Sequence, residues 1–136
     1  MDLDGKVAIV TGASRGVGAA TAVALAAAGA RVACAARATD AQPLPIPGTI
    51  DGTVRTITDA GGDAVAVPTN LADDESVVAM VSRTVEHYGH VDILVNNAAM
   101  PSLFPVYSGG WRSIQTMPSA ATSQGSQSLW SRSGAW

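Results

Sequence analysis

Val7-Ala8-Ile9-Val10-Thr11-Gly12-Ala13-Ser14-Arg15-Gly16-Val17-Gly18 leads into the alanine-rich stretch Ala19 to Ala28, and the fold of the chain follows from how these residues are read. An apolar run, a turn with three glycines and a run of strong helix formers put a strand, a loop and a helix N-terminus in succession. That order brings backbone N–H groups up to a phosphate. Each glycine has a separate reason. Gly12 lets the chain leave the strand in a tight turn, Gly16 leaves room for a pyrophosphate against the backbone, and Gly18 lets the new helix pack close to the strand. The spacing is Gly-x-x-x-Gly-x-Gly, which differs from the Gly-x-Gly-x-x-Gly of the commonest dinucleotide fingerprint.

Working outward, strand, helix and strand recur. Val17 to Ala28 is rich in the strongest helix former, with Gly29 as its C-cap, and Arg31-Val32-Ala33-Cys34-Ala35-Ala36 reads as a second buried strand. A βαβ unit of this length is right-handed and its strands are parallel. Prolines 43, 45 and 47 make Ala38 to Gly48 an irregular, stiff connector. Thr49 then caps a helix with Ile50, Val54 and Ile57 at i, i+4 and i+7, ending at Gly61-Gly62, and Ala64-Val65-Ala66-Val67 is a third buried strand. Asp73, Asp74 and Glu75 open another helix whose apolar side carries Val77, Val81 and Val85. His87 and His90 read as solvated helix-end residues, and Val91-Asp92-Ile93-Leu94-Val95 as a fourth strand. The alternation predicts an α/β fold, a doubly wound parallel sheet of Rossmann type, incomplete, with strand order 3-2-1-4.

Composition narrows the function classes. With 136 residues, 47% hydrophobic content and a net charge of −3, the chain suits a single soluble domain, and nothing in that charge calls for a nucleic-acid partner. The single Cys34 excludes an internal disulfide and reads as a buried structural thiol in a reducing compartment. Met1-Asp2-Leu3-Asp4 is acidic where a signal peptide needs basic residues, and the apolar run Val17 to Ala36 is interrupted by Gly29 and Arg31, so neither a leader nor a membrane span is expected. A cytoplasmic protein follows. The charges stop abruptly: all 11 acidic residues lie in 1–99, while nine of the serines and all three tryptophans lie in 100–136. This break predicts a dinucleotide-binding half-domain over 1–100 and an irregular, poorly ordered tail over 101–136.

Two segments together resemble one family. The loop Thr11 to Gly18 and the segment Asn96-Asn97-Ala98-Ala99 are similar to the cofactor loop and the Asn-Asn-Ala-Gly segment of the short-chain dehydrogenases/reductases, nicotinamide-dependent oxidoreductases on a Rossmann fold. Ala99 replaces the usual glycine, and the resemblance covers about residues 3–99. It implies that Gly12, Ser14, Arg15, Gly16, Val17 and Gly18 hold the cofactor's phosphates. By the same resemblance Asn96 ties the central strands together, while Asn97 and Ala98, with Ala99 beside them, line the cofactor. Asn70, followed by Leu71, stands near the adenine where the family usually has an aspartate.

The end of the second strand decides between the two nicotinamide cofactors. An acidic side chain there accepts hydrogen bonds from the ribose 2′-hydroxyl and repels a 2′-phosphate. Ala36 and Arg37 occupy that place, and Arg15 can approach the same phosphate from the glycine loop. An arginine pair suits planar, bidentate phosphate binding, and in the family it implies NADP(H) rather than NAD(H). Two merely solvated arginines are the plainer alternative.

In the family, catalysis rests on a serine, a Tyr-x-x-x-Lys pair and a further asparagine, the lysine lowering a phenol pKa that is otherwise about 10. The one lysine here, Lys6, precedes the first strand, roughly 16 Å from the ligand end of the sheet at ~3.3 Å per strand residue. Four residues after Tyr88 is Asp92, and four after Tyr107 is Trp111, so no catalytic residue is assigned. Trp111-Arg112-Ser113-Ile114 faintly resembles the start of the family's next helix, which Pro118 would break. The expectation is that the family sequence is lost shortly after Ala99, through a frame change or a truncated gene model. Three classes stay open: a reductase or alcohol dehydrogenase acting on a small alcohol or ketone, which needs an intact family member; a non-catalytic NADP(H)-binding module; and a fragment without function. A glycine loop of another class, such as a methyltransferase's, predicts binding of S-adenosylmethionine instead. Substrate and oligomeric state are not legible.

Overall fold

A computed structural model describes residues 2–99, and the readings made for 101–136, among them Tyr107, Trp111 to Ile114 and Pro118, fall outside them. Four strands, β1 (Val7–Thr11), β2 (Arg31–Ala36), β3 (Asp63–Pro68) and β4 (Ile93–Val95), alternate with three helices, α1 (Gly16–Ala27), α2 (Ile50–Asp59) and α3 (Asp74–Tyr88). The sheet is parallel with order β3-β2-β1-β4, as the alternation predicts. Val10 sits opposite Cys34 on one side and Val95 on the other, which makes β1 the centre of the sheet.

β1 is buried at every position because both faces of the sheet are covered, the usual condition of a parallel sheet. Side chains alternate across it. Val10, Val32 and Cys34 join Ala22, Ala26, Ile50 and Ile57 on the side of α1 and α2, while Ile9, Ala33, Ala35 and Val67 join Met80 of α3 on the other. Helix α1 buries Gly18, Ala22 and Ala26, a ridge of three of the smallest residues spaced four apart, so its axis lies close to the strands. In α2 the Thr49 hydroxyl accepts from the Gly52 amide at 3.0 Å, a cap worth ~1 kcal/mol. Burial pushes the Cys34 thiol up to about 12, as suits a structural residue.

Three expectations need correcting. Helix α3 buries Met80 and Thr84, with Val77 partly covered, whereas Val81 and Val85 are 44% and 41% exposed. Its apolar arc is wider than the sheet beneath it, and the half bearing Val78, Val81 and Val85 faces away from β2 and β3. β3 is only partly buried, since it ends the sheet and is covered mainly at Val67. β4 is shorter than the run from Val91 suggests, and its Leu94 is 53% exposed.

His87 and His90 are exposed as expected, but His90 is not left to solvent. Its Nε2 lies 2.9 Å from Asp92 Oδ2 and 3.2 Å from the Gly5 carbonyl. Asp92 Oδ2 also accepts from the Val7 amide at 2.8 Å, and this bond holds the carboxyl below the ordinary carboxylate range. A depressed folded-state pKa gives stability that is present above the unfolded value of 3.8 and lost as pH falls through the folded one. The melting midpoint should therefore drop further between pH ~5 and ~3 in the wild type than in Asp92→Asn, whose amide oxygen accepts at all pH. Equal drops in the two chains refute the assignment.

Candidate functional site

The C-terminal ends of β1, β2 and β4 meet at one edge of the sheet, and the glycine loop is built there. Thr11, the last residue of β1, is 1% exposed and joins two strands. Its hydroxyl donates to the Val95 carbonyl at 3.2 Å and accepts from the Asn97 and Ala98 amides at 3.1 and 3.2 Å. The Asn97 side-chain amide in turn donates to the Thr11 and Gly12 carbonyls at 3.2 and 3.3 Å. Asn97, not Asn96, thus ties the segment after β4 to the loop. β4 ends at Val95, so Asn96 turns outward and is exposed, and the following residue faces β1.

The glycines divide their work as the spacing suggests. Gly12 turns at φ +68, with Ala98 Cα 2.9 Å from where a Cβ would stand. A Cβ on Gly18 would strike the Gly12 carbonyl oxygen and the Asn97 amide nitrogen. Among the described residues, a Cβ on Gly16 would meet nothing within 4 Å, so they leave the space over it open. The loop is gripped from the side of α1 and β4 and open over Gly16.

Among the described residues, no side chain caps the first turn of helix α1. Arg15 is its N-cap, in extended backbone with no capping hydrogen bond, and no acid lies in the first turn. By contrast, α2 is capped by Thr49 and carries Asp51, and α3 is capped by Asp73 and carries Asp74 and Glu75. The positive end of the α1 dipole therefore stays uncompensated. Ser14, 8% exposed, accepts from Arg15 Nε at 3.3 Å, while Arg37 stands exposed just beyond the end of β2. The nearest acid along the chain, Asp40, is occupied: Arg55 and the Thr49 hydroxyl hold its carboxyl below the usual range.

The remaining expected residues lie around this edge. Asn70 is exposed, but its side-chain oxygen already accepts from the Ala72 amide at 3.1 Å. Leu71 is half-buried against the cluster of Ile9 and Met80, so it faces the core more than the site. Val17 is 74% exposed beside the open loop, Ala98 is half-buried, and Ala99 is exposed. Lys6 precedes β1, at the opposite end of the sheet. Tyr88 lies at that same opposite end: its hydroxyl donates to Asp63, the first residue of β3, at 2.9 Å. Burial, and then Asp63, raise its phenol above the ordinary 10, the reverse of what proton transfer at neutral pH requires.

Two residues escape the reading of the sequence. Thr11 is a hydroxyl at a strand end, where a β-branched residue passes for an ordinary strand former. Thr53, 4% exposed, donates to the Ala13 carbonyl at 2.7 Å. Its signal is a polar residue on the buried stripe between Ile50 and Ile57.

Comparison with known proteins agrees with this geometry. A family model described as short chain dehydrogenase matches residues 6–120, so the family sequence runs about twenty residues past Ala99, where its loss is expected from the sequence. Hydroxysteroid dehydrogenase-like protein 2 of Bos taurus is 42% identical over 101 residues, 74% of this chain and 24% of that protein. A short chain dehydrogenase structure from Mycobacterium avium shares 40% identity with a TM-score of 0.67, over 74% of this chain and 36% of that one. A metagenomic short-chain oxidoreductase solved in complex with NADP shares 37% identity with a TM-score of 0.63, over 71% and 40%. The chain thus spans about a quarter of the curated relative and well under half of the solved chains. The sheet order, the glycine loop and the extent of the match together establish that the chain belongs to the short-chain dehydrogenase/reductase family.

Proposed function

We propose that residues 1–100 form a dinucleotide half-domain that holds NADP(H) in preference to NAD(H), with the phosphates over Gly12, Ser14, Arg15, Gly16, Val17 and Gly18. The observation that carries this is the uncapped, acid-free start of α1 at Gly16, with Arg15 as its N-cap and Arg37 exposed just beyond β2, the strand paired with β1. Anions collect at such a helix end, and two guanidiniums add the donors that a 2′-phosphate needs. Asn97, Ala98 and Ala99 then border the ribose side, and Asn70 and Leu71 the adenine side. Asn70 keeps its side-chain N–H groups for that purpose, while one lone pair of its oxygen is taken by Ala72.

The associated chemistry is hydride transfer between the nicotinamide and a small alcohol or ketone, in the cytoplasm. The 136 residues by themselves hold the cofactor without turning it over. Their one lysine stands at the wrong end of the sheet, and Tyr88 is bound to Asp63. Residues 101–136 have no part in phosphate binding in this scheme.

Titration of the 136-residue chain with NADPH, followed by cofactor fluorescence, tests both halves of the proposal. Saturable binding below millimolar NADPH, weaker binding of NADH, and no oxidation of NADPH in the presence of simple ketones are expected. No binding at millimolar cofactor would leave a fragment without function, and binding of S-adenosylmethionine instead would point to another class.

A further inference from the structure

The two arginines flank a piece of structure that the dinucleotide reading leaves without a task. The first turn of α2 is bonded to the chain beside both. The Ile50 amide donates to the Ala38 carbonyl at 2.9 Å, which fixes the residue after Arg37. The Thr53 hydroxyl donates to the Ala13 carbonyl at 2.7 Å, two residues before Arg15. Ile50 and Thr53 are 0% and 4% exposed, so both bonds are shielded from water. Between them, Gly48 presses on the glycine loop: a Cβ there would stand 2.5 Å from the Ser14 carbonyl oxygen and 3.0 Å from Arg15 Cβ.

The approach of the connector is itself fixed. Asp40 receives the Thr49 hydroxyl at 2.6 Å and the Arg55 guanidinium, and the Asp40 amide donates to Asp51 Oδ2 at 2.8 Å. The segment from Ala38 to Thr49 is therefore tied to α2 at both of its ends, and α2 is tied to the loop bearing Arg15. One helical turn sets how far apart the two guanidinium-bearing segments stand.

We propose that Thr53 and Gly48 are positioning residues that set the spacing of Arg15 and Arg37, and so the discrimination between the 2′-phosphorylated and the unphosphorylated dinucleotide. The proposal rests on the NADP(H) reading above. Neither residue touches the cofactor; each acts through the backbone next to an arginine. Bidentate phosphate recognition depends on such spacing, whereas the pyrophosphate contacts are common to both cofactors and cancel in the ratio of their affinities.

The test titrates the full chain with NADPH and with NADH, for the wild type, Thr53→Val, Thr53→Ser and Gly48→Ala. Thr53→Val keeps the shape and removes the hydroxyl, and Thr53→Ser returns it. Thr53→Val and Gly48→Ala are expected to weaken NADPH about tenfold and NADH by about twofold or less, with Thr53→Ser close to wild type. Equal losses for both cofactors, or no recovery in Thr53→Ser, overturn the positioning role while the NADP(H) reading stands. A wild type that binds NADH as well as NADPH overturns both. Circular dichroism is recorded alongside, and if Thr53→Val or Gly48→Ala does not fold, the cofactor ratio in Thr53→Ala decides.

Discussion

Gly18→Ala is expected to lower the melting midpoint of the chain by more than ~10 °C and to abolish NADPH binding. The added methyl would collide with the Gly12 carbonyl and the Asn97 amide, atoms that belong to the turn and to the segment after β4. A flexible side chain could move aside, but a carbonyl in a tight turn cannot, so α1 must lift off β1. Overpacking of this kind costs ~1–3 kcal/mol, and the backbone contact puts it at the upper end. In a domain of this size each kcal/mol moves the midpoint by ~4–8 °C. Gly16→Ala separates packing from binding, because its methyl meets no atom of the described residues within 4 Å. It should lose only the modest cost of a positive φ in stability, yet still weaken the cofactor where the methyl enters the pyrophosphate's space. A midpoint for Gly18→Ala within ~2 °C of the wild type would contradict the close contact.

The second large effect lies in the arginine pair. Removing Arg15 or Arg37 takes away charge-assisted hydrogen bonds, each set worth ~1.5–3 kcal/mol, so each alanine variant should weaken NADPH by ~10–100-fold. NADH carries no 2′-phosphate and should change by ~threefold or less, so that Arg15→Ala/Arg37→Ala reverses the preference. Melting midpoints should barely move, since Arg37 is exposed and, among the described residues, the Arg15 side chain bonds only its neighbour Ser14. The NADPH affinity of the wild type should also fall with added salt, and that of the double variant much less. If NADPH and NADH weaken in parallel, the pair serves the pyrophosphate and the choice of cofactor is made elsewhere.

The strand order and the glycine loop could be read directly because the physics behind them is local. A turn at positive φ, an open space and a close packing contact each select glycine, and the right-handed βαβ rule then leaves one arrangement of the sheet. The face of α3 was not legible in the same way. Val77, Val78, Val81 and Val85 spread over a broad arc, and only the position of β2 and β3 determines which part is covered. That Asn97 and not Asn96 ties the strands turns on a single residue, the point at which β4 ends. Thr53 gives only a weak signal in the sequence because a threonine inside a helix ordinarily bonds its own previous turn; this one does reach Thr49, at 3.4 Å, but lies nearer Ala13. The register of α2 against the glycine loop, a tertiary quantity, makes it important.

The attachment of β4 also bears on the order in which the molecule assembles and opens. β2 pairs with β1 and β3 over short stretches of chain, whereas the Val7 to Asp92 bond closes a span of 85 residues. Closing so long a span is entropically expensive and is rewarded by a strand of only three residues, so β4 is expected to dock late and to leave first. When it leaves, Asn97 goes with it and the turn at Gly12 loses its restraint. A dinucleotide that needs the formed turn would therefore slow this opening, and its arrival should be visible as slower amide exchange in β4, a strand that it never touches.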